Sequence, residues 1–150
     1  MRNLFLVLAL FSIAACSTGG SQSTQADQST QVDLAAYKAF GEKAGIKKIV
    51  DDMFVVILKD PRIKTFFAET DNEYIKQQLT DQFCDQLNGP CEYTGIDMKS
   101  SHVGLNIGRQ HFNALVEALR ISMDQNNVPF RMQNQLLVKL APMHKDIIEE

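Results

Sequence analysis

Ile46, Ile49, Val50, Met53, Phe54, Ile57 and Leu58 recur at intervals of three and four residues. That spacing predicts an amphipathic helix with one apolar face, ended by Asp60-Pro61. A short turn follows, closing on Phe66-Phe67. Tyr74, Ile75, Leu79, Phe83 and Leu87 form the stripe of a second helix, with Asp71 or Asn72 as its N-cap. Asn88-Gly89-Pro90 ends it, because Asn and Gly tolerate the left-handed conformation and Pro cannot continue a helix. Phe112, Leu115, Val116 and Leu119 stripe a third helix that stops around Asn126-Asn127. Pro129 stands near the start of a fourth, where its missing N–H costs nothing; this helix carries Met132, Leu136, Leu137 and Leu140. Pro142 is expected to kink it. No segment alternates as a strand does. The pattern predicts an all-α domain of two antiparallel helix pairs, with a loose segment carrying His102 between them. A four-helix bundle fits the stripes equally well, but the irregular stretch over 89–107 is long for a bundle connection.

The first residues follow another rule. Arg2 gives a positive start, Leu4 to Ile13 is a nearly unbroken apolar run, and Ile13-Ala14-Ala15-Cys16 closes it. The run is too short for a spanning helix of about 20 residues and reads as a secretory signal peptide. Its ending resembles a bacterial lipobox, which implies a signal peptide over 1–15 and lipidation of Cys16; an ordinary signal peptide with a coincidental cysteine is the alternative. Ser17, where an inner-membrane lipoprotein has Asp, points to the outer membrane, facing the periplasm. Residues 17–33, STGGSQSTQADQSTQVD, hold too little apolar surface to fold and read as a flexible tether. Residues 34–150 are enough for one small domain. A net charge of -3 with no basic stripe argues against a nucleic-acid partner. There is no serine elbow and no phosphate-binding glycine loop, so a hydrolase has little support. Asp51-Asp52 and Glu149-Glu150 read as solvated faces.

Cys84 and Cys91 straddle the end of the second helix. In an oxidising compartment, the turn at Asn88-Gly89-Pro90 brings the chain back so that the two can form a disulfide. Two inert thiols or a redox switch are the alternatives; a metal site is the weakest, since no CxxC or Cys/His cluster is present.

Between those helices lies Tyr93-Thr94-Gly95-Ile96-Asp97-Met98-Lys99-Ser100-Ser101-His102, then Val103-Gly104-Leu105-Asn106-Ile107 and Gln110-His111-Phe112. A histidine on a short element with apolar residues around it has the setting of an axial haem ligand. The sequence resembles the group I truncated haemoglobins from about Tyr37 to Pro142. The resemblance is carried by Asp52-Met53-Phe54, Leu58-Lys59-Asp60-Pro61, Phe66-Phe67, Gly89-Pro90, Tyr93-Thr94-Gly95, Met98, His102, Phe112, Val128-Pro129 and Ala141-Pro142. It implies a 2-on-2 helical sandwich around haem b, with His102 as proximal iron ligand and its second ring nitrogen donating to a carbonyl. It also implies that Phe67 packs on the porphyrin and that Met98 and Phe112 wall the proximal side. Leu115, Leu136 and Leu140 close the far side, and Phe83, Tyr93 and Ile107 complete the lining. His111 is expected to face solvent, and His144 to sit favourably as a cation near the end of the last helix.

On the distal side the chain departs from the family's common pattern. Phe54 stands at the tyrosine position, Leu79 at a position often filled by glutamine, and Ile75 beside it is apolar. Gln78 is the nearest polar residue, either swinging in as sole donor or staying at the pocket mouth. Bound dioxygen gathers partial negative charge, and a distal donor is worth roughly one to a few kcal/mol to it. Weak oxygen retention follows, with nitric oxide and carbon monoxide less affected. A gas-binding or gas-sensing monomer is therefore expected, with nitric oxide dioxygenation as a side activity and the reductant unassigned. The rival reading is a membrane-tethered helical interaction module without cofactor.

Overall fold

The structure is a computed structural model that describes residues 34–149. The signal-peptide reading, Cys16 and the tether lie outside the described residues.

Helix α1 covers residues 34–39. It buries Ala36 and Tyr37, and Phe40 just beyond it is buried too. The chain reverses at Gly41, whose φ of 76° lies in the left-handed region, and enters α2, Glu42–Ile57. Ile46, Ile49, Val50, Met53, Phe54 and Ile57 are each no more than 1% exposed. A helix this closed on one face must be packed from two sides. The main partners of α2 are indeed α3 (Asn72–Gln86) and α5 (Arg109–Gln125). Past Pro61, Arg62 binds the Asp60 carboxylate and reaches Glu117 of α5 at 2.7 Å. A 3-10 turn over Lys64–Phe66 then delivers Phe67.

Asp71 caps α3, its side chain accepting the Tyr74 N–H at 3.1 Å. The stripe expected from Tyr74 begins one residue later, since Tyr74 is 51% exposed while Ile75 packs inward. Asn88, at φ 56°, turns the chain after α3. Gly89 follows with its N–H on the Cys84 carbonyl at 2.8 Å. A Cβ there would stand 2.5 Å from the Tyr37 ring and 2.7 Å from the Cys84 sulfur, so the position requires glycine.

The stretch over 89–107 holds one short helix, α4 (Met98–His102), capped by Asp97, which accepts the Ser100 N–H at 2.9 Å. Helix α5 ends at Asn126, with Asn127 at φ 56°. Pro129 is the N-cap of α6 (Phe130–Leu140), one position before the first helical residue. The buried Gln133 ties this turn by donating to Asp124 at 2.6 Å and to the Val128 carbonyl at 2.9 Å. At Pro142 the helix gives way to a 3-10 turn, Ala141–Met143, and α7 (His144–Ile147) packs on α4. His144 therefore begins a helix instead of ending one, and the dipole argument for a cation there does not hold. The described residues contain no strand.

Candidate functional site

Helix α4 fixes the histidine by local chemistry. Nδ1 of His102 lies 2.7 Å from the Met98 carbonyl one turn back. A carbonyl only accepts, so the proton belongs on Nδ1. Ser101 Oγ, 2.9 Å from the same nitrogen, is within reach of the Asp97 carbonyl at 2.8 Å and donates there. The hydroxyl thus also faces Nδ1 as an acceptor. This tautomer leaves Nε2 with a free lone pair on a half-buried ring, which is the donor an axial metal ligand presents. The donor chemistry of His102 therefore fits haem iron.

Eight of the residues expected around the cofactor fall into or against one apolar cluster. Phe54, Phe83 and Leu136 are buried in it, and Phe67, Ile75, Leu79, Leu115 and Leu140 pack on it. The Phe54 and Phe67 rings meet edge to face, with centroids 5.5 Å apart. The Lys76 ammonium lies 5.8 Å from the Phe54 centroid, held by Glu73 at 2.5 Å and Asp51 at 3.4 Å. The Glu73 hydrogen bond raises the Lys76 pKa, so the group stays charged through neutral pH.

Of the remaining expected residues, Tyr93, Met98, His102 and Ile107 belong to the 89–107 segment. Tyr93 donates its hydroxyl to the Ile96 carbonyl at 2.9 Å, and burial pushes its pKa up. The Gln78 side-chain oxygen and the Tyr93 hydroxyl both crowd Gly95, where a Cβ would approach them to 2.5 and 2.4 Å. Gln78 thus stands against this loop. Ile107 is buried and lends its carbonyl to the Glu149 N–H at 2.9 Å. Phe112 meets the His144 ring edge-on at 4.8 Å.

Other residues escaped the sequence reading. Gln82, 5% exposed, turns its amide nitrogen toward the sulfurs of Met98 (3.6 Å) and Met143 (3.8 Å). It lies seven residues after Ile75 and three after Leu79, so helical spacing could have found it; its polarity hid it. His111, expected to face solvent, is only part-exposed. Its ring packs on Phe66 at 5.0 Å, and Nδ1 accepts the Gly108 N–H at 3.1 Å, capping α5. Cys84 and Cys91 are joined by a disulfide across 5.8 Å between Cα atoms. It ties the end of α3 to the loop leading to α4. No group of three or more His, Cys, Asp or Glu suited to a metal ion occurs among the described residues.

An all-helical fold with a short histidine-bearing helix between longer packed ones defines a small 2/2-type globin. The chain belongs to the bacterial-like globin family, whose profile matches residues 35–149. It is 30% identical over 112 residues to a group 1 truncated haemoglobin of Tetrahymena pyriformis, covering 75% of this chain and 93% of that protein. A group 1 truncated haemoglobin of Mycolicibacterium paratuberculosis is 28% identical over 111 residues, covering 74% and 82%. The Fe(III) crystal structure of the Tetrahymena pyriformis truncated haemoglobin superposes with a TM-score of 0.73 at 29% identity, covering 77% of this chain and 98% of that one. A 2/2 haemoglobin from a Synechococcus species, with covalently attached haem, gives 0.71 at 21% identity, covering 77% and 98%, which speaks for the fold alone.

Proposed function

We propose that this globin binds haem b through His102 and reversibly takes up diatomic gases. The observation that carries the reading is the His102 Nδ1 contact with the Met98 carbonyl at 2.7 Å, which frees Nε2. Haem supplies the iron at which O2, NO or CO binds. The chain's residues supply the ligand nitrogen, the apolar walls and the exclusion of water. Phe54, Ile75 and Leu79 offer no hydrogen bond to a gas, and the Gln78 side-chain oxygen lies beside Gly95. Oxygen therefore leaves quickly, and a role in sensing gases or meeting nitric oxide suits the pocket better than oxygen storage. The depleted distal donors favour a binding protein over a dedicated enzyme.

The test is an absorption spectrum of the haem-reconstituted protein in ferric, dithionite-reduced and CO-bound forms, alongside His102→Ala. A Soret band that shifts with CO in the parent, and is lost or altered in the variant, supports the reading. Failure to take up one haem per chain leaves a helical interaction module and removes every distal argument.

The cellular setting rests on the sequence. Cys16, lipidated after removal of residues 1–15, anchors a monomeric domain to the outer membrane on the periplasmic side, with 17–33 as tether. Cys16→Ser should move the protein from the membrane to the soluble fraction, and its retention in the membrane would sink the anchor.

A further inference from the structure

The last described residue returns to the loop that follows His102. The Glu149 carboxylate accepts the Gly104 N–H through Oε1, and the Asn106 N–H through Oε2 at 2.8 Å. Its own N–H donates to the Ile107 carbonyl at 2.9 Å. Three hydrogen bonds thus fasten two segments more than forty residues apart. Gly104 and Asn106 both lie at positive φ, 82° and 53°. That conformation takes their N–H groups out of helix bonding and aims them at one anion, as fixed backbone dipoles do elsewhere. Gly104 is two residues from His102. The same terminal segment supplies α7, which packs on α4, and His144, which meets Phe112. Glu149 is therefore not the solvated residue its sequence position suggested.

We propose that Glu149 is a positioning residue for the iron ligand: it straps the loop after His102 and so holds the imidazole in register with the cofactor. The proposal rests on the haem reading above. The loop has two left-handed residues and little regular structure between α4 and α5. Without the carboxylate, two backbone donors lose their partner, and the helix carrying His102 loses its C-terminal anchor.

The test uses the full chain and three variants: Glu149→Ala, Glu149→Gln and Glu149→Asp. Amide hydrogen exchange at Gly104 and Asn106, measured without haem, reads the strap itself. Haem transfer to an excess of apomyoglobin and the iron–histidine stretching frequency of the reduced protein read its effect on His102. In Glu149→Ala both amides should lose protection, the stretch should shift or broaden, and haem should leave roughly tenfold faster, the size expected from losing one charge-assisted hydrogen bond. Glu149→Gln, which keeps one acceptor oxygen, should recover part of each. Glu149→Asp keeps the charge but is one methylene short of the loop, so it should fall with the alanine variant; an aspartate variant that matches the parent in all three readouts would mean that charge near the loop, not the strap, is what counts. Unprotected amides in the parent overturn the strap. Protected parent amides, with a haem-loss rate and stretch unchanged in Glu149→Ala, overturn the positioning role alone. A parent that takes up no haem removes the ligand reading and this role with it.

Discussion

Met98 serves two neighbours at once. Its carbonyl accepts from His102 Nδ1, and its sulfur lies 3.6 Å from the Gln82 amide. Sulfur is a weak acceptor, so the amide gains little from being buried there. Gln82→Met, close in volume and free of the amide, should leave stability within about 1 kcal/mol of the parent or raise it. Gln82→Ala removes packing as well and should cost about 2 kcal/mol. Urea unfolding without haem separates the two, and an equal loss in both would show that the amide itself matters. Across the cluster, Phe54 is 1% exposed and edge-on to Phe67. Phe54→Tyr puts a hydroxyl back on the distal wall. If that wall is as dry as its residues suggest, oxygen dissociation should slow by roughly tenfold or more while CO binding changes little. Stopped-flow ligand replacement measures both rates, and equal effects on the two gases would mean that the hydroxyl acts by crowding.

The disulfide acts between elements. Cys84 is fully buried at the end of α3, and Cys91 begins the loop toward α4. Closing so short a loop is worth about 2.5 kcal/mol by loop entropy. A reductant strong enough to open it should therefore lower the urea midpoint, and Cys84→Ser with Cys91→Ser should reproduce the drop. Gly89→Ala should cost about 2 kcal/mol in the same assay, since a Cβ meets a buried ring and a disulfide sulfur. These elements also show what the sequence could tell. The apolar face of α2, a cap at Asp71 or Asn72, the left-handed turn at Asn88 and the helix stop around Asn126-Asn127 were legible, because spacing, capping and turn chemistry are local signals. The start of α2 at Glu42 was not, as its first turn, Glu42-Lys43-Ala44-Gly45, carries no large apolar residue to mark it. Nor were the Phe66 contact of His111 and the inward turn of Gln82, where a polar side chain finds its partner through tertiary packing. The separate helix α7 was hidden for a related reason: Pro142 signals a break without saying what the chain does afterwards. Of the candidate site, the apolar cluster around Phe54 was legible in helical spacing, and His102 was singled out through the family resemblance. The Glu149 strap joins residues 43 and 45 positions apart and leaves no mark in either segment.

Charge joins the elements into one molecule. Lys76–Asp51 and Lys43–Asp81 link α2 to α3, Lys48 of α2 reaches Asn126 at the end of α5, and Arg62 reaches Glu117 on α5. Helix α2 is thus fastened on both flanks by groups at the surface, over a core that burial already holds. Lys47 lowers the pKa of Asp51, and Lys48 with Asn126 lowers that of Asp52. Arg62 does the same for Asp60, and the Ser100 N–H for Asp97. A carboxylate whose folded pKa lies below its ordinary value near 3.8 favours the folded state fully above that value. The advantage is lost as pH falls through the lowered one. The contribution of these four carboxylates should therefore be nearly flat from pH 7 to about 5 and decline below about 4. Salt should shrink the part that comes from Lys and Arg pairs, because exposed charges are screened, and leave the Asp97 cap, which binds backbone, less affected. Urea midpoints at pH 7, 5, 4 and 3, in low and high salt, give both trends. Asp97→Asn keeps a capping oxygen that no longer titrates, so its decline in acid should be shallower than the parent's. A parent midpoint that stays level to pH 3 would mean that these carboxylates bind their partners no better in the folded chain than water does in the unfolded one.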